Sequence, residues 1–303
     1  MNVVGRSLLA VTNRSTVRKL FAESSTGRRL SLRFVAGETL DEAAAATREL
    51  NAAGVQVSLD HLGEHVVDTY AAAQARDDYL QCLDRVHADR LDANISVKLT
   101  QLGLGLDDDL AVASLRALAA RAAEGGATVT VDMEESELVE KTVSAFEVVQ
   151  AEYGNLGIAV QSYLYRTAAD LDRIVVRGGH VRLCKGAYAE PAAVAHQDPD
   201  RVDAAFDALT RRLMAAPGVA PAIATHDTDR IELAKLLSEG RSEPWEFQML
   251  YGVRTNLQRS LIEDGFPLRV YVPYGTAWYP YLTRRMAERP ANLAFFLRAA
   301  VGR

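Results

Sequence analysis

Six short apolar segments of the sequence end in side chains that could bind or catalyse. Within each segment, one alternate set of residues is aliphatic, and the other set is small or polar. Successive side chains of a strand point to opposite faces, so the polar set of each segment would share one face of a sheet. The residues that end these polar sets are Asp60, Lys98, Asp132, Gln161, Arg182 with Cys184, and His226. If the segments are neighbouring parallel strands, this pattern predicts an active site; the alternative is a set of purely structural buried ion pairs, such as Lys98 with Asp132.

Arg182 and Lys98 are the cations of this set. Arg182 interrupts the hydrophobic segment "VRLCKGAY", and burying a guanidinium is costly unless it meets an anion or a polar cofactor. Lys98 in "ISVKLT" is compatible with an anion-binding ammonium, a neutral amine or a Schiff-base nucleophile. Asp132 in "VDMEE" could orient either cation, and the following Glu134 and Glu135 are expected to cap the next helix.

Two histidine patterns allow other kinds of chemistry. His226 in "ATHD" could be a general base, a hydrogen-bond donor or a packed core histidine. The segment "HLGEH", His61 to His65, matches the H-x-x-E-H zinc pattern, which requires both histidines on one face of a continuous helix. This segment instead follows a strand-like run and contains Gly63, so no metal site is predicted.

The composition is that of a globular protein in a reducing compartment. The chain has 303 residues, of which 49% are hydrophobic and 24% charged, so a sizeable core is expected. A net charge of -6 argues against a nucleic-acid surface, which needs clustered positive charge. Two cysteines cannot build a disulfide framework. No signal peptide and no membrane-spanning apolar run is visible, so a cytoplasmic protein is predicted, although "RSTVRKLF" could contact a membrane surface.

Strand-like segments alternate with alanine- and leucine-rich helical segments along the whole chain. The nine candidate strands are "LRFVAG", "VQVSLD", "ISVKLT", "TVTVDME", "GIAVQSY", "VRLCKGAY", "PAIATHD", "FQMLYG" and "RVYVPYG". Such alternation predicts an α/β fold with a parallel sheet. No G-x-G-x-x-G follows the first strand, so a closed (β/α)8 TIM barrel is favoured over an open doubly wound sheet. Nine candidates exceed eight places, and we expect either "FQMLYG" or "RVYVPYG" to be an extra strand or extended loop. We predict one domain over residues 1–303, with residues 1–30 as an N-terminal helical extension.

Arg284 and Arg285 lie side by side in "YPYLTRRMAERP", near the C-terminus. Adjacent residues of a helix point about 100° apart, so a pair of arginines usually lies on a solvated face. The two would converge only if their helix lay across the mouth of a pocket. Barrel active sites lie at the carboxyl ends of the strands, where the polar sets of this sequence end.

Several motifs, in this order and spacing over roughly residues 33–298, resemble those of the monofunctional bacterial proline dehydrogenases. They are "RFVAGET", "SLDHLGE", "SVKLTQLGL", "VDMEE", "QSYLYRT", "RLCKGAYAEP", "ATHD", "FQMLYGVR" and "YVPYGTAWYPYLTRRMAERP". The resemblance implies a distorted (β/α)8 barrel that binds FAD without a Rossmann domain, with its last helix over the carboxyl ends of the strands. It implies oxidation of L-proline to Δ1-pyrroline-5-carboxylate by hydride transfer from C5 to the flavin N5, as the first step of proline catabolism to glutamate.

The resemblance also implies roles for individual residues. Arg284 and Arg285 would grip the proline carboxylate together with Lys98, and Glu64 would pair with the first arginine. The side chains of Tyr188 and Tyr271 would shape the pocket around the pyrrolidine ring. Asp132 and Arg182 would be catalytic, with Arg182 near the flavin N5 and Asp132 as its partner. The residues implied to contact FAD are Met133, Gln161, Arg182, Lys185, Gly186, Ala187, Thr225 and His226.

Partners follow from the same resemblance. The family passes electrons to quinone, which implies peripheral contact with the inner face of the cell membrane. The product would go to a separate pyrroline-5-carboxylate dehydrogenase. Cys184 departs from the family, which usually has an aliphatic residue there, and a small thiol is expected to pack acceptably. Two rival hypotheses remain at this level: a Schiff-base aldolase or lyase that uses Lys98 or Lys185, and a non-catalytic barrel that senses an amino acid or flavin.

Overall fold

Eight parallel strands close into a barrel in their order along the chain. The computed structural model of the chain describes residues 32–282, and in this range each strand pairs with the next and β8 pairs with β1. The strands are β1 (Gln56–His61), β2 (Ala93–Val97), β3 (Val129–Val131), β4 (Leu156–Gln161), β5 (Gly179–Cys184), β6 (Val219–Ala224), β7 (Glu246–Leu250) and β8 (Leu268–Tyr274). The predicted (β/α)8 barrel is therefore confirmed.

Helices connect the strands and cover the outside of the barrel. They are α1 (Leu40–Ala52), α2 (Thr69–Ala88), α3 (Asp108–Glu124), α4 (Val139–Tyr153), α5 (Thr167–Val175), α6 (Pro199–Ala215), α7 (Thr228–Ser238) and α8 (Thr255–Glu263), and a short 3-10 helix (Ser136–Leu138) precedes α4. A further helix begins over residues 278–282. The predicted N-terminal extension, and Arg284 and Arg285 of the predicted last helix, lie outside the described residues. Within residues 32–282, no helix has both the length and the apolar composition needed to cross a membrane.

The surplus strand candidate is "LRFVAG", so the expectation that "FQMLYG" or "RVYVPYG" would be surplus was wrong. These two segments form β7 and β8. Residues 32–37 instead form turns and loop. Two backbone hydrogen bonds tie them to the end of β8, from Ala36 N to Pro273 O at 2.9 Å and from Gly275 N to Gly37 O at 3.0 Å. Phe34 and Val35 are buried against Trp278 and Leu282. Their apolar side chains pack under the start of the last helix, so burial does not require a strand.

The alternation predicted for the strands is present. Val57, Leu59 and Val97 belong to the main apolar core between sheet and helices, whereas the intervening Ser58 and Ser96 bind an arginine inside the barrel. Parallel barrel strands normally fill this interior with branched aliphatic side chains. The polar interior is therefore the feature of this fold that positions a site.

The residues at the two ends of helix α3 explain its boundaries. Asp107 is its N-cap, and its carboxylate accepts a hydrogen bond from Leu110 N at 3.0 Å. Gly125 follows its last residue. Acidic residues in the first turn favour the positive end of the helix dipole.

Glu134 and Glu135 do not cap the helix that follows β3, contrary to the prediction. The Glu134 carboxylate accepts hydrogen bonds from Thr100 N, at 3.0 Å, and from the Thr100 hydroxyl. Neither Glu135 nor the residue before α4 makes a side-chain cap. Glu190 takes this role, because its Oε1 accepts from Ser136 N at 2.7 Å. A glutamate from a distant loop thus accepts the hydrogen bond of the first N–H group of the 3-10 helix. Residues near this helix in the sequence do not reveal that partner.

Candidate active site

A cavity of about 690 Å³ opens at the carboxyl ends of the strands. Its lining contains all eight residues expected to contact FAD, which are Met133, Gln161, Arg182, Lys185, Gly186, Ala187, Thr225 and His226. Lys98, Asp132, Tyr188 and Tyr271 line the same cavity, as does Tyr281 from the start of the last helix. Glu64 is half-buried on the loop after β1 and is outside the lining that the described residues form.

Arg182 lies at the centre of the barrel interior and is almost fully buried. From β5 it reaches residues on opposite sides of the barrel. Its Nη2 donates to Ser58 Oγ at 3.2 Å, and its Nη1 donates to Ser96 Oγ at 2.8 Å and to Asp132 Oδ1. Its Nε donates to Gln248 Oε1 at 2.5 Å. The cost of burying this cation is offset by an ion pair and three further hydrogen bonds, as the interrupted strand predicted.

Asp132 joins the two buried cations. Its Oδ1 accepts from Ser96 Oγ at 2.8 Å and from Arg182, and its Oδ2 accepts from the Tyr271 hydroxyl at 2.7 Å and lies 3.6 Å from Lys98 Nζ. Burial alone would raise the pKa of this carboxyl, but the charges of Arg182 and Lys98 outweigh burial and hold the pKa below its usual range. Asp132 is therefore ionised near neutral pH.

Lys98 is held as a charged ammonium. Its Nζ donates to Asp60 Oδ1 at 3.1 Å and lies 3.5 Å from the Tyr271 hydroxyl. Burial opposes the charge, but the Asp60 and Asp132 carboxylates outweigh burial and raise the pKa of Lys98 above its ordinary value. A Schiff-base nucleophile must be a neutral amine, so this environment opposes the aldolase hypothesis for Lys98.

Tyr271 presents a fixed ring and a protonated hydroxyl. Arg182 Cζ lies 5.2 Å from the centre of its ring, a cation-π distance. Burial, together with the nearby Asp132 and Asp60 carboxylates, raises the pKa of Tyr271 well above its usual value. The residue acts as a hydrogen-bond donor and as a wall of the cavity.

Lys185 lies just past the end of β5, which ends at Cys184. The chain turns at Gly186, where φ is +120° and an added Cβ would collide with the ring of Tyr163. The Lys185 ammonium forms ion pairs with Asp227, at 2.9 Å, and with Asp203. Its side chain is 34% exposed, so the group borders both the cavity and solvent.

His226 is a hydrogen-bonding residue of the cavity wall. Its Nε2 accepts from Leu250 N at 3.0 Å, and this bond uses the lone pair that a general base needs. In the neutral imidazole, Nδ1 then carries the proton and is a donor. Of the three alternatives left open by the sequence, the hydrogen-bonding one agrees with this geometry.

The "HLGEH" segment has no helical zinc geometry. His61 ends β1 and stacks on Tyr274 with ring centres 5.1 Å apart. His65 lies on the following loop with φ of +50°, and its Nε2 is 3.1 Å from Glu135 Oε1. Potential ligand atoms of His65, Glu134 and Glu135 lie within 4.8 Å of one another. The hydrogen bonds that Glu134 and Glu135 accept account for this grouping.

Sequence reasoning missed two polar residues of the site. Gln248 on β7 binds Arg182 directly, and its position between the outward-facing Phe247 and Met249 is the same parity signal that identified Arg182. Because "FQMLYG" was a candidate for the surplus strand, its alternate residues were not assigned to the barrel interior. Arg254 lines the cavity in a left-handed backbone conformation and donates to the His226 carbonyl at 2.5 Å. A lone arginine in a loop gives no comparable signal.

A parallel barrel whose ionisable side chains meet at the carboxyl ends of its strands has the architecture of a TIM-barrel enzyme. The model of the family described as proline dehydrogenase matches residues 43–298. The chain is 39% identical over 293 residues to "Proline dehydrogenase 1" of Bacillus subtilis strain 168, covering 96% of each protein. It is 36% identical over 301 residues to "Proline dehydrogenase" of Deinococcus radiodurans, covering 97% of this chain and 96% of that protein. The chain belongs to the proline dehydrogenase family.

A solved structure supports the same fold. The chain superposes on proline utilization A (PutA) from Bdellovibrio bacteriovorus, inactivated by N-propargylglycine, with a TM-score of 0.79 at 22% identity. The match covers 93% of this chain and 34% of that protein, so the chain spans about a third of the larger relative. The resemblance read from the motifs is confirmed. The enzyme oxidises proline, the first step of proline catabolism, and membership of the family implies that a flavin takes part.

Proposed function

We propose that the flavin is FAD, held in the cavity at the carboxyl ends of the strands, and that the charged residues beneath it orient L-proline. The observation that carries this proposal is that one cavity is lined by the eight expected cofactor residues, Arg182 among them, and also by Asp132 and Lys98. The volume of about 690 Å³ lies within the ~300–1,000 Å³ of small-molecule sites. Amide, hydroxyl, imidazole and ammonium groups beside small apolar walls fit a flat ring joined to a polar dinucleotide.

The residues would divide the work by charge. When bound, the flavin supplies the hydride acceptor, N5, for the hydride that leaves C5 of proline, so that Δ1-pyrroline-5-carboxylate forms. The Arg182 guanidinium stabilises the negative charge that arrives with the hydride, and Asp132 holds that guanidinium in place. Only the neutral amine of proline can push its lone pair into the forming C=N bond, so activity should rise with pH until this amine is deprotonated.

The proline carboxylate needs cations beyond those buried in the barrel. Lys98 and Arg182 carry two positive charges, and Asp60 and Asp132 carry two negative charges, so these four groups cancel. We infer that Arg284 and Arg285 supply the missing charge through guanidinium forks that match a carboxylate. Arg284 follows the cavity-lining Tyr281 by three residues, the spacing that returns to the same side of a helix.

Three other assignments complete the substrate site. Lys98 would give the carboxylate a third contact from the barrel floor. The rings of Tyr271 and Tyr188, both in the cavity lining, would enclose the pyrrolidine ring. Glu64, on the loop after β1, would pair with Arg284 and control access to the site.

We also propose the remaining partners from the family. The electrons would pass to quinone, the protein would be cytoplasmic with peripheral contact at the inner face of the cell membrane, and the product would go to a separate pyrroline-5-carboxylate dehydrogenase. Relatives described as "Bifunctional protein PutA", such as that of Escherichia coli strain K12, are far longer, since this chain covers 24% of that protein.

The first test is spectroscopic. The purified chain should show an oxidised flavin spectrum, identified as FAD after release, and anaerobic L-proline should bleach it while D-alanine should not. Arg284→Met and Arg285→Met should each raise KM for L-proline at least tenfold with the FAD content unchanged. Arg259→Met is the control, because this exposed residue on α8 donates only to Asn256 among the described residues. A colourless protein, or a flavin that L-proline leaves oxidised, would refute the proposal.

A further inference from the structure

A buried polar chain continues below Arg182 toward the amino ends of the strands. Gln248 Nε2 donates to Glu246 Oε1 at 2.6 Å, and both side chains project inward from β7. Arg269 Nε on β8 donates to the same Glu246 oxygen at 2.8 Å, and His180 Nε2 on β5 lies 3.1 Å from it. Glu246 and Gln248 are each more than nine-tenths buried. Arg182 already has an ion pair with Asp132 and hydrogen bonds with the two serines, so the additional hydrogen bonds through Gln248 and Glu246 need a separate explanation.

The chemistry of its two ends fixes the orientation of the Gln248 amide. Burial would raise the pKa of Glu246, but the hydrogen bond with His180 and the charge of Arg269 outweigh burial and lower it to about 2. An ionised carboxylate only accepts hydrogen bonds, and a guanidinium only donates them. The Gln248 NH2 group must therefore face Glu246, and its oxygen must face Arg182.

We propose that Gln248 is a positioning residue for the reaction. Its Oε1 accepts the hydrogen bond of Arg182 Nε from the side of the amino ends of the strands, and this bond fixes the plane of the guanidinium. This inference rests on the proposed placement of Arg182 beside the flavin. Asp132 and the two serines bind the Nη groups of Arg182, and the Tyr271 ring lies 5.2 Å from its Cζ, so these contacts leave only its Nε without an acceptor. The Nε bond to Gln248 completes the constraint. Glu246 holds the Gln248 amide in place by accepting from its Nε2, and Arg269 holds Glu246 by donating to the same oxygen.

The test compares variants by the midpoint potential of the bound flavin. Gln248→Met has nearly the same length but lacks the acceptor for Arg182 Nε, so the guanidinium should turn away and stabilise the reduced flavin less. We expect the equilibrium constant for flavin reduction to fall about tenfold, which is ~30 mV for a two-electron couple. The value of kcat should fall while KM for L-proline changes less than twofold.

Gln258→Met is the matched control. Gln258 is also a buried glutamine, and its Nε2 donates to the carbonyls of Leu250 and Val253 at 3.0 and 2.9 Å. Its loss should lower the melting temperature and leave the flavin potential unchanged. A structural role for Gln248 would give the same result as this control.

A second variant covers the case in which Gln248→Met does not fold. Gln248→Glu has the same shape and sets two carboxyl groups side by side, and such a pair shares one proton. The shared proton keeps a donor facing Glu246 and an oxygen facing Arg182. We expect the equilibrium constant for flavin reduction to stay within about threefold of the parent value. Such a result would show that the oxygen acceptor for Arg182 Nε matters, and not only the size of the side chain. A tenfold loss in this variant would overturn the proposal.

The decisive measurement is a double-mutant cycle with Arg182→Met. If Gln248 acts through Arg182, adding Gln248→Met to Arg182→Met should cause no further change in potential. An equal further shift in the double variant would overturn the inference, and so would a shift with Arg182→Met but none with Gln248→Met. If Arg182→Met itself leaves the potential unchanged, the proposed role of Arg182 fails, and the inference about Gln248 fails with it.

Discussion

Asp132→Asn should destabilise the fold because it removes one charge from a balanced buried set. The carboxylate lies between Arg182 and Lys98 with a side chain only 13% exposed. Breaking a buried pair by removing one partner typically costs about 3–5 kcal/mol. For 303 residues, an unfolding entropy of roughly 2.1 cal/mol/K per residue converts this loss into a fall of about 5–8 °C in melting temperature. Differential scanning calorimetry, with and without added FAD, would measure it.

The pH dependence of this effect has a definite sign. The pKa of Asp132 is lowered in the fold, so its contribution to stability is present above the unfolded pKa of about 3.9 and is lost as pH falls through the folded pKa. The difference between the parent chain and Asp132→Asn should therefore be full at pH 6 and should shrink below about pH 4.

An exposed ion pair provides the control for this prediction. Glu152 accepts two hydrogen bonds from Arg116, at 2.7 and 2.8 Å, and both side chains are 40% exposed. Surface pairs contribute about 0–1 kcal/mol, so Glu152→Gln should change the melting temperature by less than about 2 °C. A loss of similar size in the two variants, or a loss for Asp132→Asn that persists unchanged at pH 3, would refute the argument from buried charge.

Three further predictions concern single residues of the cavity. Iodoacetamide should alkylate Cys184, which lines the cavity, and spare Cys82, because burial raises the pKa of that thiol to about 12; equal labelling in peptide mass spectra would contradict this. Gly186→Ala should lower the ratio of bound flavin to protein severalfold, because the new Cβ would collide with the ring across the turn, whereas Gly240→Ala, with open space around it, should not. Lys98→Met should raise KM for L-proline and keep the alkaline rise of kcat/KM, because the pKa of Lys98 is raised and the group stays charged through that range; a flat profile would identify Lys98 as the titrating group.

The sequence predicted most of the barrel and its polar interior for reasons that are local. Strand parity depends only on the backbone, so Arg182, Lys98 and Asp132 could be assigned to one face before any contact was known. The strand prediction failed for a segment whose structure depends on residues far away in the sequence. Phe34 and Val35 look like strand residues but are buried against the start of the last helix.

The same reasoning explains the residues whose partners could not be foreseen. Lys185 was expected to contact FAD, and it lines the cavity, but nothing in its own segment indicated that it forms ion pairs with Asp203 at the start of α6 and Asp227 before α7. The orientation of Gln248 depends on Glu246 and, through it, on a residue of another strand. Such pairings come from closure of the barrel, and no window of sequence contains them.

The reach of Arg182 across the barrel has a consequence for the order of folding. Its partners are separated from it by 124 residues at Ser58, 86 at Ser96 and 66 at Gln248. Contacts of such separation form late, because the chain must first be closed into large loops. We expect flavin uptake during refolding to follow the slowest phase seen by tryptophan fluorescence. Flavin binding would then occur only after the barrel has closed. A partly folded chain would carry no flavin and could not transfer electrons.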